Sequence, residues 1–94
     1  KYISSLCIKI PNLPGKLGEV SSLIGFHENN IINMEIIDKK KDYLEFIFDI
    51  QINDLKNYKN LISELKQKDY KFTIIRHRKK DALLQRIFKN FKRN

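Results

Sequence analysis

The chain has 94 residues, 41% of them apolar and 32% charged, and a formal net charge of +8. A chain of this length wraps about one hydrophobic core, which excludes a multidomain enzyme and favours an oligomer whose partner covers what a small core leaves exposed. No apolar run approaches the roughly 20 residues of a membrane-spanning helix, and the single cysteine, Cys7, permits neither an internal disulfide nor a Cys/His metal site, so a soluble protein of the reducing cytoplasm is expected.

The chain opens Lys1-Tyr2-Ile3, with neither an initiator Met nor a signal segment, which suggests part of a longer protein. Leu6, Ile8 and Ile10 alternate with Cys7 and Lys9, the period-two pattern of a strand with one buried face, and Pro11 ends it. Pro14-Gly15 marks a turn into a helix whose stripe is Leu17, Val20, Ile24 and His27, stopped by Asn29-Asn30. Ile31 to Asp38 predicts a second strand, Lys39 to Asp42 a polar turn, and Tyr43 to Ile52 a third strand with Leu44, Phe46, Phe48, Ile50 and Ile52 on one face. Asp54 caps a second helix with Leu55, Tyr58, Ile62 and Leu65 on its stripe, and Tyr70 to Ile75 predicts the fourth strand. The order βαββαβ is that of the α+β, ferredoxin-like fold: an antiparallel four-stranded sheet with both helices on one face.

Beyond that unit, residues 79–94 form a separate tail. Leu84, Ile87, Phe88 and Phe91 share one side of a predicted basic amphipathic helix over about Lys80 to Lys92. From Arg76 to Asn94 eight basic residues stand against Asp81, a net +7 that accounts for nearly all of the chain's +8. Two readings stay open for this segment: it packs its apolar stripe on the domain or on a second protomer, or it contacts RNA through Arg78, Lys79, Lys80, Arg86, Lys89, Lys92 and Arg93. The abundance of Lys, Ile and Asn throughout fits an AT-rich coding bias as well as selection for a polyanionic partner.

Groups suited to catalysis are few. His27 and His77 have no carboxylate or thiol at dyad spacing, Cys7 sits between Leu6 and Ile8 on the opposite strand face as a small filler, and Gly15-Lys16-Leu17-Gly18 lacks the spacing and Lys-Ser/Thr pair of a phosphate loop. No metal or cofactor is expected. The loop Asn12 to Leu17 is better suited to binding: it leads from a strand into a helix, so the first free N–H groups and the helix dipole could hold a carboxylate. Asn12 could bond the ligand or the loop, and Pro-Gly could equally serve only to shape the turn. The same βαββαβ order occurs in RNA-recognition modules, but the open faces of the first and third strands are expected to show Cys7, Lys9, Glu45, Ile47, Asp49 and Gln51, which offer no aromatic for base stacking.

Ile10-Pro11-Asn12-Leu13-Pro14-Gly15-Lys16-Leu17-Gly18-Glu19-Val20 and Asn30-Ile31-Ile32-Asn33-Met34 closely resemble the ACT domain pattern, in which a strand leads into Asp/Asn-x-Pro-Gly-x-Leu. Asp42 to Phe46, Asp49 to Ile52, Asp54-Leu55, Leu61 to Leu65 and the closing Arg76 resemble more specifically the C-terminal ACT domain of long RelA/SpoT stringent-response enzymes, which make and hydrolyse (p)ppGpp. The resemblance covers about residues 3 to 78. It implies a non-catalytic regulatory module of a GTP pyrophosphokinase, pairing as a homodimer and binding a small branched-chain amino acid (valine, isoleucine or leucine). By position, Asn12, Leu13, Pro14, Gly15, Lys16 and Leu17 would supply the ligand loop, with Ile31, Ile32 and Asn33 contributed by the second protomer. Ribosome-associated relatives lie against ribosomal RNA, so ribosomal RNA or tRNA is a further implied partner. An ACT domain of an amino-acid biosynthetic enzyme or transcriptional regulator is the alternative. The tail after Arg78 has no counterpart in most relatives.

Overall fold

The computed structural model describes residues 2–79, and the predicted helix over 80–92 lies outside them. The elements are β1 (Tyr2–Pro11), α1 (Lys16–Phe26), β2 (Asn30–Lys39), β3 (Tyr43–Ile52), α2 (Leu55–Gln67) and β4 (Lys71–Lys79). They form one sheet in the order β2-β3-β1-β4, antiparallel at every pairing. This is the expected βαββαβ arrangement.

The alternation along β1 and β3 builds the core. Leu6, Ile8 and Ile10 stand beside Phe48, Phe46 and Leu44 in register, and the first five of these are buried beneath the helices. From α1, Val20, Leu23 and Ile24 press onto this layer, and from α2 Tyr58, Leu61 and Leu65. Each such side chain contributes about 1.5–3 kcal/mol by leaving water. Ser4, a polar residue on the buried face, is satisfied by Tyr58, their hydroxyls 2.6 Å apart. Leu55, expected on the α2 stripe, is half exposed instead, while Leu61 is fully buried. The first turn of α2 therefore lies off the sheet, and the buried stripe begins at Tyr58.

Three boundaries differ from the sequence expectation. β1 starts at Tyr2 and not near Leu6, which gives β4 pairing partners beyond Ile75: Ser5 opposes Arg76, and Tyr2 opposes Lys79. Arg76 therefore does not close the last strand. α1 ends at Phe26, with His27 at its C-cap and Glu28 at φ 60, so the reversal precedes Asn29-Asn30. Asn29 itself is buried, its amide N–H donating to Ile24 O at 3.1 Å. Among the described residues no helix is long and apolar enough to cross a membrane.

Candidate functional site

The two helices start differently. α2 begins at Asp54, whose Oδ1 accepts the Lys56 amide at 2.9 Å, a side-chain cap that satisfies one of the orphan N–H groups. α1 begins at Gly15 in the left-handed region, φ 83, with no side-chain cap. The loop before it is tied to the β2–β3 turn, because Asn12 donates its amide to Asp42 O at 3.0 Å and its side-chain Nδ2 to Lys41 O at 3.4 Å. Asn12 therefore serves the loop. Leu13 donates to Pro11 O at 2.8 Å and Lys16 to Leu13 O at 3.3 Å, while Glu19 donates to Gly15 O at 2.9 Å. Among the described residues the amides of Gly15, Leu17 and Gly18 have no backbone acceptor. These are the donors a carboxylate would need, and they sit at the positive end of α1.

Gly15 is required by its φ, since a Cβ there would meet nothing within 4 Å. Leu13 is 61% exposed, Pro14 and Gly15 are also exposed, and Leu17 packs partly into the core. The loop is thus an open shelf with one anchored residue.

Ile31, Ile32 and Asn33 lie on β2, at the other end of the sheet. Asn12 bonds next to Tyr43, the first residue of β3, whereas Asn33 stands opposite Asp49, six residues further along the strand, or about 20 Å at the usual rise. One chain cannot bring both halves to one ligand. β2 is an edge strand with register shifts at Ile31/Asn33 and Ile36/Asp38, and it leaves Ile32, Met34, Ile36 and Ile37 each 44–48% exposed. Such an edge is suited to cover by another chain. Ile31 is half-buried against the core, and Asn33 Nδ2 donates to Asp49 Oδ2 at 3.2 Å.

The open face of the sheet holds a chain of polar contacts. Ser5 Oγ donates to Asp49 Oδ1 at 2.6 Å, and the Cys7 thiol donates to Glu45 Oε2 at 3.1 Å. Burial, with the adjacent Glu45 carboxylate, pushes the Cys7 thiol up to about 11, the reverse of what a nucleophile requires. One aromatic escaped the sequence reading: Tyr43 shares the strand parity of Glu45, and Lys9 Nζ lies 5.0 Å from its ring centre. A single ring beside two carboxylates still makes a poor base-stacking platform. His27 Nε2 lies 2.7 Å from Glu64 Oε1, a carboxylate 37 residues away that spacing could not reveal; the pair ties the end of α1 to α2. Among the described residues no three His, Cys, Asp or Glu side chains are placed to hold a metal. Arg78 and Lys79 fall in the β4 ladder, and Lys80, Arg86, Lys89, Lys92 and Arg93 lie outside the described residues.

Comparison with known proteins agrees with this architecture. The family model described as ACT domain matches residues 1–76. GTP pyrophosphokinase rsh of Brucella ovis is 28% identical over 67 residues, which is 71% of this chain and 9% of that protein, and the Brucella melitensis protein matches equally. The chain thus spans about a tenth of those relatives. Among solved structures, prephenate dehydratase from Streptococcus mutans superposes with a TM-score of 0.69 at 23% identity, over 79% of this chain and 40% of that one. The crystal structure of the ACT domain from GTP pyrophosphokinase of Chlorobium tepidum gives 0.62 at 12% identity, over 78% of this chain and 96% of that one. These two likenesses concern the fold. With the family model spanning all six elements up to Arg76, the chain belongs to the ACT domain family.

Proposed function

We propose that this chain is the amino-acid-sensing regulatory domain of a (p)ppGpp synthetase/hydrolase, and that it binds valine, isoleucine or leucine at the interface of a homodimer. One observation carries the reading: the uncapped start of α1 and the β2 edge at Ile31 to Asn33, where Ile32 is exposed, lie at opposite ends of one sheet. A two-fold axis perpendicular to β2, running the two edge strands antiparallel, would set the shelf of each protomer against β2 of the other and complete two equal sites. The ligand carboxylate would take the Leu17 and Gly18 amides, and its branched side chain would rest among Leu13, Ile31 and Ile32. The parent activity is inferred from the relatives named GTP pyrophosphokinase and from the sequence resemblance.

Isothermal titration calorimetry of the full chain with valine, isoleucine and leucine, paired with light scattering, tests this. Saturable heat from at least one of them, with one ligand per protomer in a dimer, is the expected result. No heat and no thermal shift at millimolar ligand would reduce the loop to a structural turn. A second reading, docking on ribosomal RNA or tRNA, is favoured by the +7 carried from Arg76 to Asn94. It predicts RNA binding that weakens steeply with salt and disappears when residues 79–94 are deleted.

A further inference from the structure

A cavity of about 330 Å³ lies beside the ligand shelf, between the end of β1, the start of α1 and the α2–β4 turn. Four lysines line it from four elements: Lys9 of β1, Lys16 opening α1, Lys68 capping α2 and Lys71 opening β4. Lys9 and Lys71 are direct cross-strand partners, a like-charge pair that an antiparallel ladder ordinarily disfavours. The carboxylate opposite Lys9 on its other side, Glu45, accepts the Cys7 thiol.

Compensation inside the cavity is loose. Lys16 Nζ is 3.9 Å from Glu19 and Lys68 Nζ 4.0 Å from Glu64, both at the outer limit of an ion pair, and Glu19 is already bonded to the Tyr70 hydroxyl. Asp42 and Asp69 also reach the wall, which leaves three carboxylates against four ammonium groups. Among the described residues Lys9 and Lys71 have no carboxylate within ion-pair distance. A concave, water-accessible site whose four lysines come from four chain segments and outnumber the carboxylates of its wall by one can take an external counter-charge. Its size admits a small molecule.

We propose that this cavity binds a small multivalent phosphate-bearing anion, bridged by Lys9 and Lys71 and closed by Lys16 and Lys68. Lysine holds phosphate as a point charge without demanding planar geometry, and the positive end of α1 opens at the same wall. The site goes beyond the amino-acid reading and shares with it only Lys16 and the start of α1.

Inorganic pyrophosphate is the probe, titrated into the full chain at low ionic strength by calorimetry and by amide chemical shifts, with citrate as a carboxylate polyanion of similar charge. The expected result is saturable pyrophosphate binding that moves the amides of Lys9 and of Lys68 to Lys71, which lie outside the amino-acid shelf; shifts confined to Leu17 and Gly18 would place the anion on the shelf and overturn the proposal. Lys9→Gln and Lys71→Gln should each weaken it at least tenfold. Both lysines are exposed, so the variants fold, and in anion-free buffer Lys71→Gln should melt at or above the wild-type temperature because a repulsion has been removed, whereas Lys9→Gln also gives up the contact with the Tyr43 ring. Lys56→Gln, in the first turn of α2 at the opposite end of the sheet, should bind as wild type. Equal weakening by Lys56→Gln, or shifts that avoid the cavity, would overturn the proposal. Citrate binding as tightly as pyrophosphate would overturn the phosphate assignment. Lys9 and Lys71 lie outside the amino-acid shelf, so Lys9→Gln and Lys71→Gln should leave valine binding as in wild type, and failure here and failure of the amino-acid reading are separable.

Discussion

The two helices lie on the same sheet and begin in opposite ways. α2 is closed at its start by the Asp54 cap and buries Tyr58, Leu61 and Leu65, so its contribution is to stability. α1 is opened by a left-handed glycine, leaves amides free, and is preceded by an exposed leucine and proline. A glycine in place of a Ser or Asp cap forgoes roughly a few tenths of a kcal/mol, and here it falls on the loop proposed to hold the ligand. Both helices bury core side chains, and on the proposed reading only the start of α1 adds a binding role.

That division breaks most visibly in the core of α2. Leu61→Ala removes a fully buried side chain and should cost about 2–5 kcal/mol, measured by urea denaturation, while valine affinity of the folded fraction stays as in wild type. Gly15→Ala should cost about 1–2 kcal/mol, because alanine must adopt φ 83. Its methyl meets nothing within 4 Å in the isolated chain. A loss of valine affinity beyond the stability change would therefore report a ligand or partner packed on that surface. Asp54→Ala should cost about 1 kcal/mol through the lost cap and leave ligand binding unchanged. If Asp54→Ala weakened valine binding as much as Gly15→Ala, the division between the helices would be wrong.

The elements that repeat locally were legible in the sequence. Alternation gave β1 and β3, three-four spacing gave both helices, and Pro14-Gly15 placed the α1 start within a residue. The Asn12 to Leu17 loop was legible as a strand-to-helix turn because all of it is contiguous. What sequence could not show was any pairing that depends on strand register or on the docking of the two helices. Lys9 meets Lys71 only because β1 pairs with β4, Ser4 meets Tyr58 across 54 positions, and His27 meets Glu64 across 37. The extension of β4 to Lys79 escaped notice for a related reason: its partners, Tyr2 to Ser5, precede the clear alternation that begins at Leu6. Leu55 fits the helical spacing but not the placement of α2, and only packing could reveal that.

The smallest predicted effect joins the start of α1 to the turn after α2. The Tyr70 hydroxyl donates to Glu19 Oε1, and this bond, aided by Lys16 and Lys68, holds the Glu19 carboxyl below its ordinary value. Burial first, and then the same carboxylate, pushes the Tyr70 phenol up to about 12. A carboxyl with a depressed folded value contributes stability above its unfolded pKa of about 4.3, and that contribution fades as pH falls through the folded value. A phenol with a raised folded value contributes fully below its unfolded pKa of about 10 and loses that contribution as pH rises towards 12. The bond is therefore at full strength between roughly pH 5 and 9.5. Tyr70→Phe should lower the melting temperature slightly across that window, and the difference should vanish as pH falls through the depressed folded value of Glu19, which a pH series of thermal melts would show. An equal loss at every pH would mean that Tyr70 acts through packing alone and that Glu19 is free to serve the lysines around it.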